Sequence, residues 1–188
     1  MRVIETDLPG VVLVEPRVHR DDRGFFLEAY HAARYRSLGL DGPFVQDNHS
    51  LSRARTLRGL HLQVDEPQAK LVRVIEGEVL DVAVDVRRGS PTFGRWVAVR
   101  LSAENFLQCY VPAGFAHGFY VLSDRAQVEY KVTAFYNPAG ELGIRWNDPR
   151  LGVAWPDPDP VLSARDASLP FLDEVLDRLP AYEDRPAR

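Results

Sequence analysis

The stretch "KLVRVIEGEVLDVAVDVRR", Lys70 to Arg88, decides the fold class. Two runs rich in β-branched residues are separated by a glycine, the pattern of two strands joined by a turn. In the second run apolar and acidic side chains alternate with the two-residue period of a strand: Leu80, Val82, Val84 and Val86 against Asp81 and Asp85. One face of this strand is therefore predicted to be apolar, and the other to carry polar groups.

Similar short runs recur along the chain between turn signals: "GVVLVEP", "GFFLEAY", "RWVAVRLS", "QCYVPAG", "HGFYVLS" and "AQVEYKVTAFYNP". The chain has no repeated alternation of strand and helix, which would indicate a parallel sheet. Many short antiparallel strands predict an all-β sandwich or barrel, with a jelly roll as the leading geometry.

Two segments are predicted to be helical and to cover parts of the barrel. The segment "HAARYRSLGL" ends at Gly39, a typical helix stop signal. Near the C-terminus, "LPFLDEVLDRLP" places Phe171, Val175 and Leu179 four residues apart, as on one face of a helix. The fold class is therefore mainly β with a few short peripheral helices, one of them C-terminal.

The length of 188 residues favours one well-buried core. We expect a single domain over residues 1–180, followed by a polar, frayed tail over 181–188. The segment Pro149–Pro160 contains four prolines and is predicted to be an extended connector.

Composition excludes several classes of protein. The formal net charge of -4 gives no general attraction to nucleic acid or to an anionic membrane. Cys109 is the only cysteine, so neither an intrachain disulfide nor a cysteine-based metal site can form. The first residues do not resemble a secretory signal, and no apolar run has the length of a membrane span. These features predict a soluble cytoplasmic protein.

The stretch "TLRGLHLQ" contains the first candidate for chemistry. On a strand, His61 and Gln63 point to one face while the neighbouring leucines point to the other. A lone histidine among leucines is more often structural, but a histidine on a polar face can also move protons. Arg58 has the opposite parity, so it joins His61 only if Gly59 makes the strand irregular.

The stretch "VPAGFAHGF", with the form Pro-x-Gly-x-x-His ending at His117, resembles the second sequence motif of the cupin superfamily. In metal-binding cupins the first motif supplies two histidines and a glutamate. Here the corresponding residues are His61 and Gln63, and Pro67 and Gln68 stand where the glutamate would fall. An amide is a poor substitute for imidazole at a transition-metal site, so the residues predict a metal-free cupin.

Lys70 supports this prediction, because an ammonium group near His61 would repel a divalent cation but suit a developing oxyanion. Its ordinary role would be a surface lysine on a strand. For the remaining candidates the residues alone suggest packing, capping or solvated charge: Tyr130, Tyr136, Asp166, Arg23 with Glu28, and Gln46 with Asn48 on one strand face.

Taken in order, the motifs resemble the dTDP-4-dehydrorhamnose 3,5-epimerase family from Val3 to Leu176. The matching stretches are "DDRGFFLE", "FVQDNHS", "LRGLHLQ", "QAKLVRVIEGEVLDVAVDVR", "SPTFGRW", "LSAENF", "VPAGFAHGF", "YK", "GIRWNDP" and "LSARD". The resemblance implies a metal-free, cofactor-independent cupin jelly roll. It also implies a homodimer that acts on a nucleotide-linked 4-keto-6-deoxy sugar.

Matched motif by motif, the resemblance implies that His61 is the base, Tyr130 the acid and Asp166 the residue that orients His61. Lys70 would face the ketone oxygen of the sugar, and Tyr136 would stack on the thymine ring. The remaining implied contacts to nucleotide and sugar are Arg23, Glu28, Gln46, Asn48, Arg58, His117, Glu141 and Arg165. Arg165 stands where a lysine is usual in the family, which keeps the charge but changes the donor geometry.

The implied reaction is epimerisation of dTDP-4-keto-6-deoxy-D-glucose to dTDP-4-keto-L-rhamnose in dTDP-L-rhamnose biosynthesis. The C4 ketone acidifies the protons on C3 and C5, since the carbanion delocalises onto oxygen, so one base can serve both carbons. Three alternatives stay open: an epimerase of an antibiotic deoxysugar that inverts only one carbon, a metal-dependent cupin enzyme, and a non-catalytic binder of nucleotide sugars.

Overall fold

The computed structural model describes residues 1–40 and 42–183. Its main element is a pair of antiparallel sheets that pack face to face. The first sheet has six strands, in the spatial order β1 (Arg2–Glu5), β2 (Val12–Glu15), β10 (Gln108–Val111), β7 (Lys70–Glu76), β12 (Arg125–Val132) and β5 (Gln46–Arg53).

The second sheet has five strands, in the order β13 (Glu141–Gly143), β6 (Leu57–Gln63), β11 (Phe115–Val121), β8 (Glu78–Asp85) and β9 (Trp96–Ser102). Two further strands, β3 (Val18–Asp21) and β4 (Gly24–Leu27), form a separate hairpin. The connections cross between the sheets in the manner of a jelly roll, so the predicted fold class is confirmed.

The main apolar core lies between the two sheets. Val72 and Val128 from the first sheet meet Val79 and Phe119 from the second, and all are at most 4% exposed. Burying a side chain of this size stabilises the fold by roughly 1.5–3 kcal/mol.

The predicted alternation along β8 is present, but its polar face points inward. Val79 and Ala83 belong to the core between the sheets. Asp81 and Asp85 share their parity and are 1% and 0% exposed. Both carboxylates are therefore inside the sandwich, where each requires partners.

The outer face of the six-stranded sheet is covered by α1 (Ala32–Ser37), which confirms the first predicted helix. Tyr35 on this helix is 1% exposed, and its hydroxyl donates to Gln108 Oε1 at 2.9 Å. The helix ends before Gly39, whose φ of +78° suits a C-terminal stop.

The predicted C-terminal helix is present as two short 3-10 helices, Leu172–Glu174 and Leu176–Arg178, and not as one α-helix. Short tight turns of this kind suit a segment bounded by prolines, in which a longer α-helix has little room to form. The buried residues are Leu172, Val175 and Leu179, which pack on the outer face of the five-stranded sheet. Phe171 instead lies on the surface beneath the Arg145 guanidinium.

The connector and the C-terminal tail follow the last strand and are described up to residue 183. Pro149–Pro160 has neither helix nor strand, as expected of a connector. Of the predicted tail, residues 184–188 lie outside the described residues. Tyr182 is not frayed, because its backbone N–H donates to the Arg88 carbonyl at 2.8 Å. Within residues 1–40 and 42–183, no helix is long and apolar enough to span a membrane.

Candidate active site

A cleft of about 340 Å³ opens between the two sheets. The walls come from strands of both sheets and from the loops beside them. The lining residues are Gln46, Asn48, His61, Leu62, Gln63, Gln68, Lys70, Tyr130, Tyr136 and Glu141. Most of the polar side chains singled out in the sequence therefore meet in one cleft.

His61, on β6, is held by a buried carboxylate. Its Nε2 lies 2.6 Å from Oδ1 of Asp166, which is 4% exposed in the short helix α2 (Ala164–Ala167). The hydroxyl of Ser163 donates to Asp166 Oδ2 at 2.9 Å and accepts the Asp166 backbone N–H at 3.0 Å. The carboxylate is thus fixed on one side by the helix cap and fixes the imidazole on the other.

The charge of Asp166 is maintained by these partners. Burial alone would raise the pKa of Asp166, but hydrogen bonds from His61 and Ser163 and the charge of Arg165 together hold it below its ordinary value. The carboxylate is therefore ionised near neutral pH. An ionised partner on one ring nitrogen fixes the tautomer of a neutral imidazole and raises its basicity.

Lys70, on β7 of the opposite sheet, reaches across the cleft. Its Nζ donates to the backbone carbonyl of His61 at 3.3 Å. Burial lowers the pKa of Lys70 to about 8, against the opposing effect of the Asp81 and Glu141 charges. The ammonium is mostly protonated at neutral pH, and it is the only lysine on the cleft wall.

Tyr130 stands on β12, also in the sheet opposite His61. Burial raises the pKa of the Tyr130 hydroxyl; the Arg58 charge lowers it, and the Glu141 charge raises it further. The phenol therefore keeps its proton near neutral pH and can act as a proton donor.

Three side chains form a hydrogen-bonded rim. The hydroxyl of Tyr136 donates to Glu141 Oε2 at 2.6 Å, and the guanidinium of Arg165 contacts the same oxygen at 2.7 Å. Burial would raise the pKa of Glu141, but these two partners lower it overall. The ring of Tyr136 is 51% exposed, so an aromatic face is available at the mouth of the cleft.

Gln46 and Asn48 share one face of β5, as predicted. The Gln46 amide donates to Asn48 Oδ1 at 2.9 Å, and its carbonyl oxygen accepts the Tyr136 backbone N–H at 3.0 Å. This pair therefore links the first sheet to the loop that carries Tyr136.

Gln63, which occupies the position of a cupin metal ligand, has a structural task. Its amide donates to the carbonyls of Glu66 at 2.8 Å and Phe135 at 3.1 Å, and its oxygen accepts the Asn137 N–H at 2.9 Å. The side chain is 4% exposed, and its bonds to Phe135 and Asn137 fix the backbone on both sides of Tyr136. Among residues 1–40 and 42–183, no group of three His, Cys, Asp or Glu side chains could hold a metal ion.

The predicted irregularity at Gly59 is confirmed. The register between β6 and β11 shifts between His117 and Phe119, and Gly59 has a φ of +116°. Arg58 does not line the cleft wall, although its charge reaches Tyr130. Its Nε donates to Ser52 Oγ at 2.9 Å, on the β5 face that also carries Gln46 and Asn48.

His117 lies beneath the cleft. It is the direct cross-strand partner of His61, it is 7% exposed, and its Nε2 lies 2.7 Å from Oδ2 of Asp81. The predicted pair Arg23 and Glu28 lies elsewhere, at and beyond the β3–β4 hairpin. Each has a local ionic partner, Asp21 for Arg23 and Arg34 for Glu28.

Ser163 and Asp81 are the functional neighbours that the sequence analysis missed. Ser163 could have been found, because Ser-x-x-Asp is a helix-capping pattern and Asp166 is its last residue. Asp81 gave no such signal, since the strand pattern marked it only as polar.

The whole chain resembles known sugar-nucleotide epimerases. Residues 5–174 match the family model of dTDP-4-dehydrorhamnose 3,5-epimerase. The dTDP-4-dehydrorhamnose 3,5-epimerase of Salmonella typhimurium is 52% identical over 179 residues, covering 94% of this chain and 98% of that protein.

Two solved structures have the same fold. An epimerase from Legionella pneumophila, in complex with dTDP-4-keto-L-rhamnose, is 48% identical with a TM-score of 0.94, covering 97% of this chain and 98% of that one. A 3'-monoepimerase from Streptomyces bikiniensis, in complex with dTDP-quinovose, is 40% identical with a TM-score of 0.86, covering 94% and 92%. The matched family model and the identity over nearly the full length show that the chain belongs to the dTDP-4-dehydrorhamnose 3,5-epimerase family.

Proposed function

We propose that this epimerase inverts C3 and C5 of dTDP-4-keto-6-deoxy-D-glucose, with His61 as the base and Tyr130 as the acid. The product is dTDP-4-keto-L-rhamnose, an intermediate of dTDP-L-rhamnose biosynthesis. One observation carries the assignment of roles: His61 and Tyr130 project from opposite sheets into one cleft. Inversion requires a proton to leave from one face of the sugar ring and to return on the other.

The His61–Asp166 pair suits the first step. With Nε2 committed to Asp166, the second ring nitrogen of His61 is the one that takes the proton from carbon. The carboxylate stabilises the imidazolium that forms when the proton is taken up. Positioned acid–base catalysis of this kind is worth about 10² to 10⁴ in rate.

Lys70 suits the charge that then develops. Removal of a proton next to the C4 ketone moves negative charge onto the ketone oxygen, and a protonated ammonium in a partly dry cleft stabilises that oxyanion. A well-placed donor of this type contributes roughly 3 to 4 kcal/mol. The same lysine serves both carbons, since C3 and C5 share the ketone.

Tyr130 completes each inversion by donating its proton to the carbon on the face opposite His61. Before the second carbon reacts, solvent takes the proton held by His61 and reprotonates Tyr130. Its neutral hydroxyl is in the protonation state that the step needs. Without this donor, only His61 could return a proton, and the carbon would exchange its hydrogen without changing configuration.

The nucleotide would be bound at the mouth of the cleft. The exposed ring of Tyr136 offers a stacking surface for thymine, and base–aromatic stacking contributes about 1 to 3 kcal/mol. Arg58 and Arg165 supply positive charge for the diphosphate, while Gln46, Asn48, Glu141 and His117 complete the contacts to nucleotide and sugar.

We further propose a cytoplasmic homodimer in which the β3–β4 hairpin meets the partner chain. Phe25 and Phe26 on this hairpin are 57% and 71% exposed. Large apolar rings on two successive residues in water are unfavourable, and such patches mark interaction surfaces. Contact with a second copy would cover these rings and bring Arg23 and Glu28 to the partner's cleft. Light scattering tests this directly: Phe26→Asp should yield monomers with reduced activity, and a wild-type monomer would overturn the proposal.

Incubation with dTDP-4-keto-6-deoxy-D-glucose in D₂O tests the reaction. We expect deuterium and inverted configuration at both C3 and C5, read by NMR. Inversion at only one carbon would instead indicate a single-site enzyme like the Streptomyces relative. Binding of the sugar nucleotide without deuterium exchange at either carbon would indicate a non-catalytic nucleotide-sugar binder.

A further inference from the structure

We infer that Gly143 and Arg145 are positioning residues of this active site: they hold the segment that carries Asp166 against the strand that carries His61. The inference rests on the proposed function, because it concerns how the proposed base is kept in place. Both residues belong to the stretch "GIRWNDP", which the reaction as proposed does not use. Neither residue lines the cleft.

The short helix α2 does not place Asp166 by itself. It has only four residues, and a helix of this length is not stable on its own in water. The Ser163 cap fixes the carboxylate relative to the helix, but not the helix relative to the sheet. The approach of Asp166 to His61 is therefore set by the chain on both sides of α2. Residues 161–170 together form a strap across the edge of the five-stranded sheet.

The N-terminal end of the strap is tied by backbone alone. Val161 forms a parallel bridge with Thr56, directly before β6 begins. The Val161 carbonyl accepts the Leu57 N–H at 3.0 Å, and the Val161 N–H donates to the Arg55 carbonyl at 2.8 Å. This end fixes where the strap starts, five residues before Asp166.

The C-terminal end of the strap is tied by Arg145. The backbone N–H of Arg145 donates to the Pro170 carbonyl at 2.8 Å, and its Nε donates to the Leu169 carbonyl at 2.9 Å. The same guanidinium lies over the Phe171 ring, 4.5 Å from its centroid. One residue thus holds the two successive carbonyls that follow Asp166 by three and four positions.

Gly143 makes room for the strap. It is the direct cross-strand partner of His61. The side chain of Leu169 covers this position, and a Cβ on Gly143 would lie 2.4 Å from Leu169 Cδ2. The φ of Gly143 lies outside the left-handed region that favours glycine, so the close approach of Leu169 is what excludes a side chain here. The strap therefore rests directly on the strand beside the proposed base.

Three alternate positions of one extended segment contact the strap. The pairing with β6 continues beyond Gly143, because Ile144 and Leu60 exchange both backbone hydrogen bonds, at 2.9 and 3.2 Å. Glu141, Gly143 and Arg145 therefore alternate on one side of this segment. The first holds the strap by an ion pair at 2.7 Å, the second by packing and the third by hydrogen bonds.

The 2.6 Å approach of Asp166 to His61 is thus set from outside the cleft. Asp166 helps the base only while its carboxylate stays within hydrogen-bonding distance of the ring. A misplacement of about 1 Å can cost about 10²-fold in rate even when it originates far from the reacting atoms. Loosening the strap should weaken the base and leave Lys70 and Tyr130 in place, since both stand on the opposite sheet.

Arg145→Met tests the C-terminal tie. Methionine keeps an apolar contact for the Phe171 ring but has no donor for the Leu169 carbonyl. We expect kcat to fall by about 10- to 100-fold, with a smaller change in KM, because the change acts on the base. Arg150→Met is the matched control, since Arg150 pairs with Asp173, beyond the strap, and kcat should keep its wild-type value.

A second substitution shows whether the effect acts through Asp166. In the Asp166→Asn background, Arg145→Met should lower kcat by less than about 2-fold, because the interaction that it supports is already lost. An equal loss of kcat in both backgrounds would overturn the inference.

Gly143→Ala tests the seat of the Leu169 side chain. The added methyl group would push Leu169 away from β13, so we expect a loss of kcat similar to that of Arg145→Met. Adding Leu169→Ala removes the side chain that collides, and the double variant should recover part of this loss. A merely destabilised protein would not recover, since Leu169→Ala removes further buried apolar surface. Should Gly143→Ala not fold, Arg145→Met decides the question, because Arg145 is only half-buried.

Proton NMR gives a readout that a loss of stability would not imitate. The imidazole N–H of His61 that faces Asp166 should give a resonance shifted downfield by its short hydrogen bond to the carboxylate, and His61→Asn assigns it. In the two single strap variants we expect this resonance to move upfield or vanish. The amide signals of the six-stranded sheet, which carries no part of the strap, report intact folding. An unchanged His61 resonance in the folded variants would overturn the inference.

The two proposals can fail separately. If wild-type protein exchanged no hydrogen of the keto sugar, the proposed reaction would be wrong, but the His61 resonance would still decide whether Gly143 and Arg145 place Asp166. If exchange occurred and neither kcat nor the resonance changed in the folded variants, the reaction would stand and the positioning role would not.

Discussion

His61 and His117 are direct partners across the β6–β11 pair, yet each gives its Nε2 to a different buried aspartate. Asp166 approaches His61 from the short helix α2, and Asp81 approaches His117 from inside the sandwich. The two imidazoles are thereby fixed independently although they stand side by side. The strand pairing sets their spacing, and the aspartates set their orientation.

Removal of the charge on Asp166 should impair the base without removing it. In Asp166→Asn the His61 ring loses its ionised partner, so we expect kcat to fall by about 10² to 10⁴. Ser163→Ala is the milder comparison: it removes the helix cap and one hydrogen bond to the Asp166 carboxylate but leaves the contact between Asp166 and His61, and it should cost about 0.5–2 kcal/mol of stability. Equal activity of Asp166→Asn and wild type, measured by steady-state kinetics, would show that the pair has no catalytic role.

Tyr130→Phe should separate exchange from inversion. The hydroxyl is lost while His61 remains, so a proton can leave and return only on the face of His61. We expect deuterium incorporation at C3 with little formation of the inverted product. The measurement is NMR of the sugar after incubation in D₂O, and inversion of both carbons at the wild-type rate would remove Tyr130 from the mechanism.

The rate should fall on the alkaline side of pH 8. The pKa of Lys70 is lowered to about 8, so the ammonium loses its proton as the pH rises through that value and the oxyanion loses its stabilisation. A pH profile of kcat checks this. Lys70→Arg should flatten the alkaline limb, since a guanidinium does not titrate in this range; a limb that persists in this variant would belong to another group.

Gln63→Leu should loosen the loop that carries Tyr136. It breaks three hydrogen bonds of a buried side chain, which should cost about 1–3 kcal/mol per backbone group left unpaired. We expect a higher KM with a smaller change in kcat, because the contact proposed for Tyr136 is with the nucleotide rather than with the reacting carbons. Gln68→Leu breaks only the bond to Ala134 and is the control for loss of an amide at the cleft.

Gly59 should not tolerate a side chain. A Cβ on Gly59 would lie 2.7 Å from the Gly118 Cα and 2.7 Å from the His117 carbonyl oxygen. Gly89→Ala is a suitable control, since its φ of +84° is also positive but nothing lies within 4 Å. The backbone cost of about 1–3 kcal/mol is common to both variants, so urea unfolding should show a larger loss for Gly59→Ala.

The sequence predicted the strands better than it predicted what surrounds them. Alternation identified β8 because a strand has a fixed period of two, whatever its neighbours are. It could not tell that Asp81 and Asp85 face the interior, since a polar residue on an inner face and one in water have the same spacing. The type of helix after Phe171 was not predictable for a related reason: spacings of three and four fit both an α-helix and successive 3-10 turns.

The site was predictable where local chemistry marks it. The placement of His61 and Gln63 on one strand face and the irregularity at Gly59 followed from parity arguments, whereas the role of His61 as the base came only from the family resemblance. The partnership of His61 with Asp166 joins residues 105 positions apart, and no periodicity reports such a contact. It came from the family resemblance, and the 2.6 Å approach of the two side chains agrees with it.

The position of the proposed base and acid on opposite sheets gives the interior packing a chemical meaning. Val72 and Phe119 belong to the apolar layer that separates the two sheets. Enlarging or shrinking that layer would move β6 relative to β12 and so change the distance between His61 and Tyr130. Side chains that never meet the sugar would thus set how well one proton can leave and another return within the same cleft.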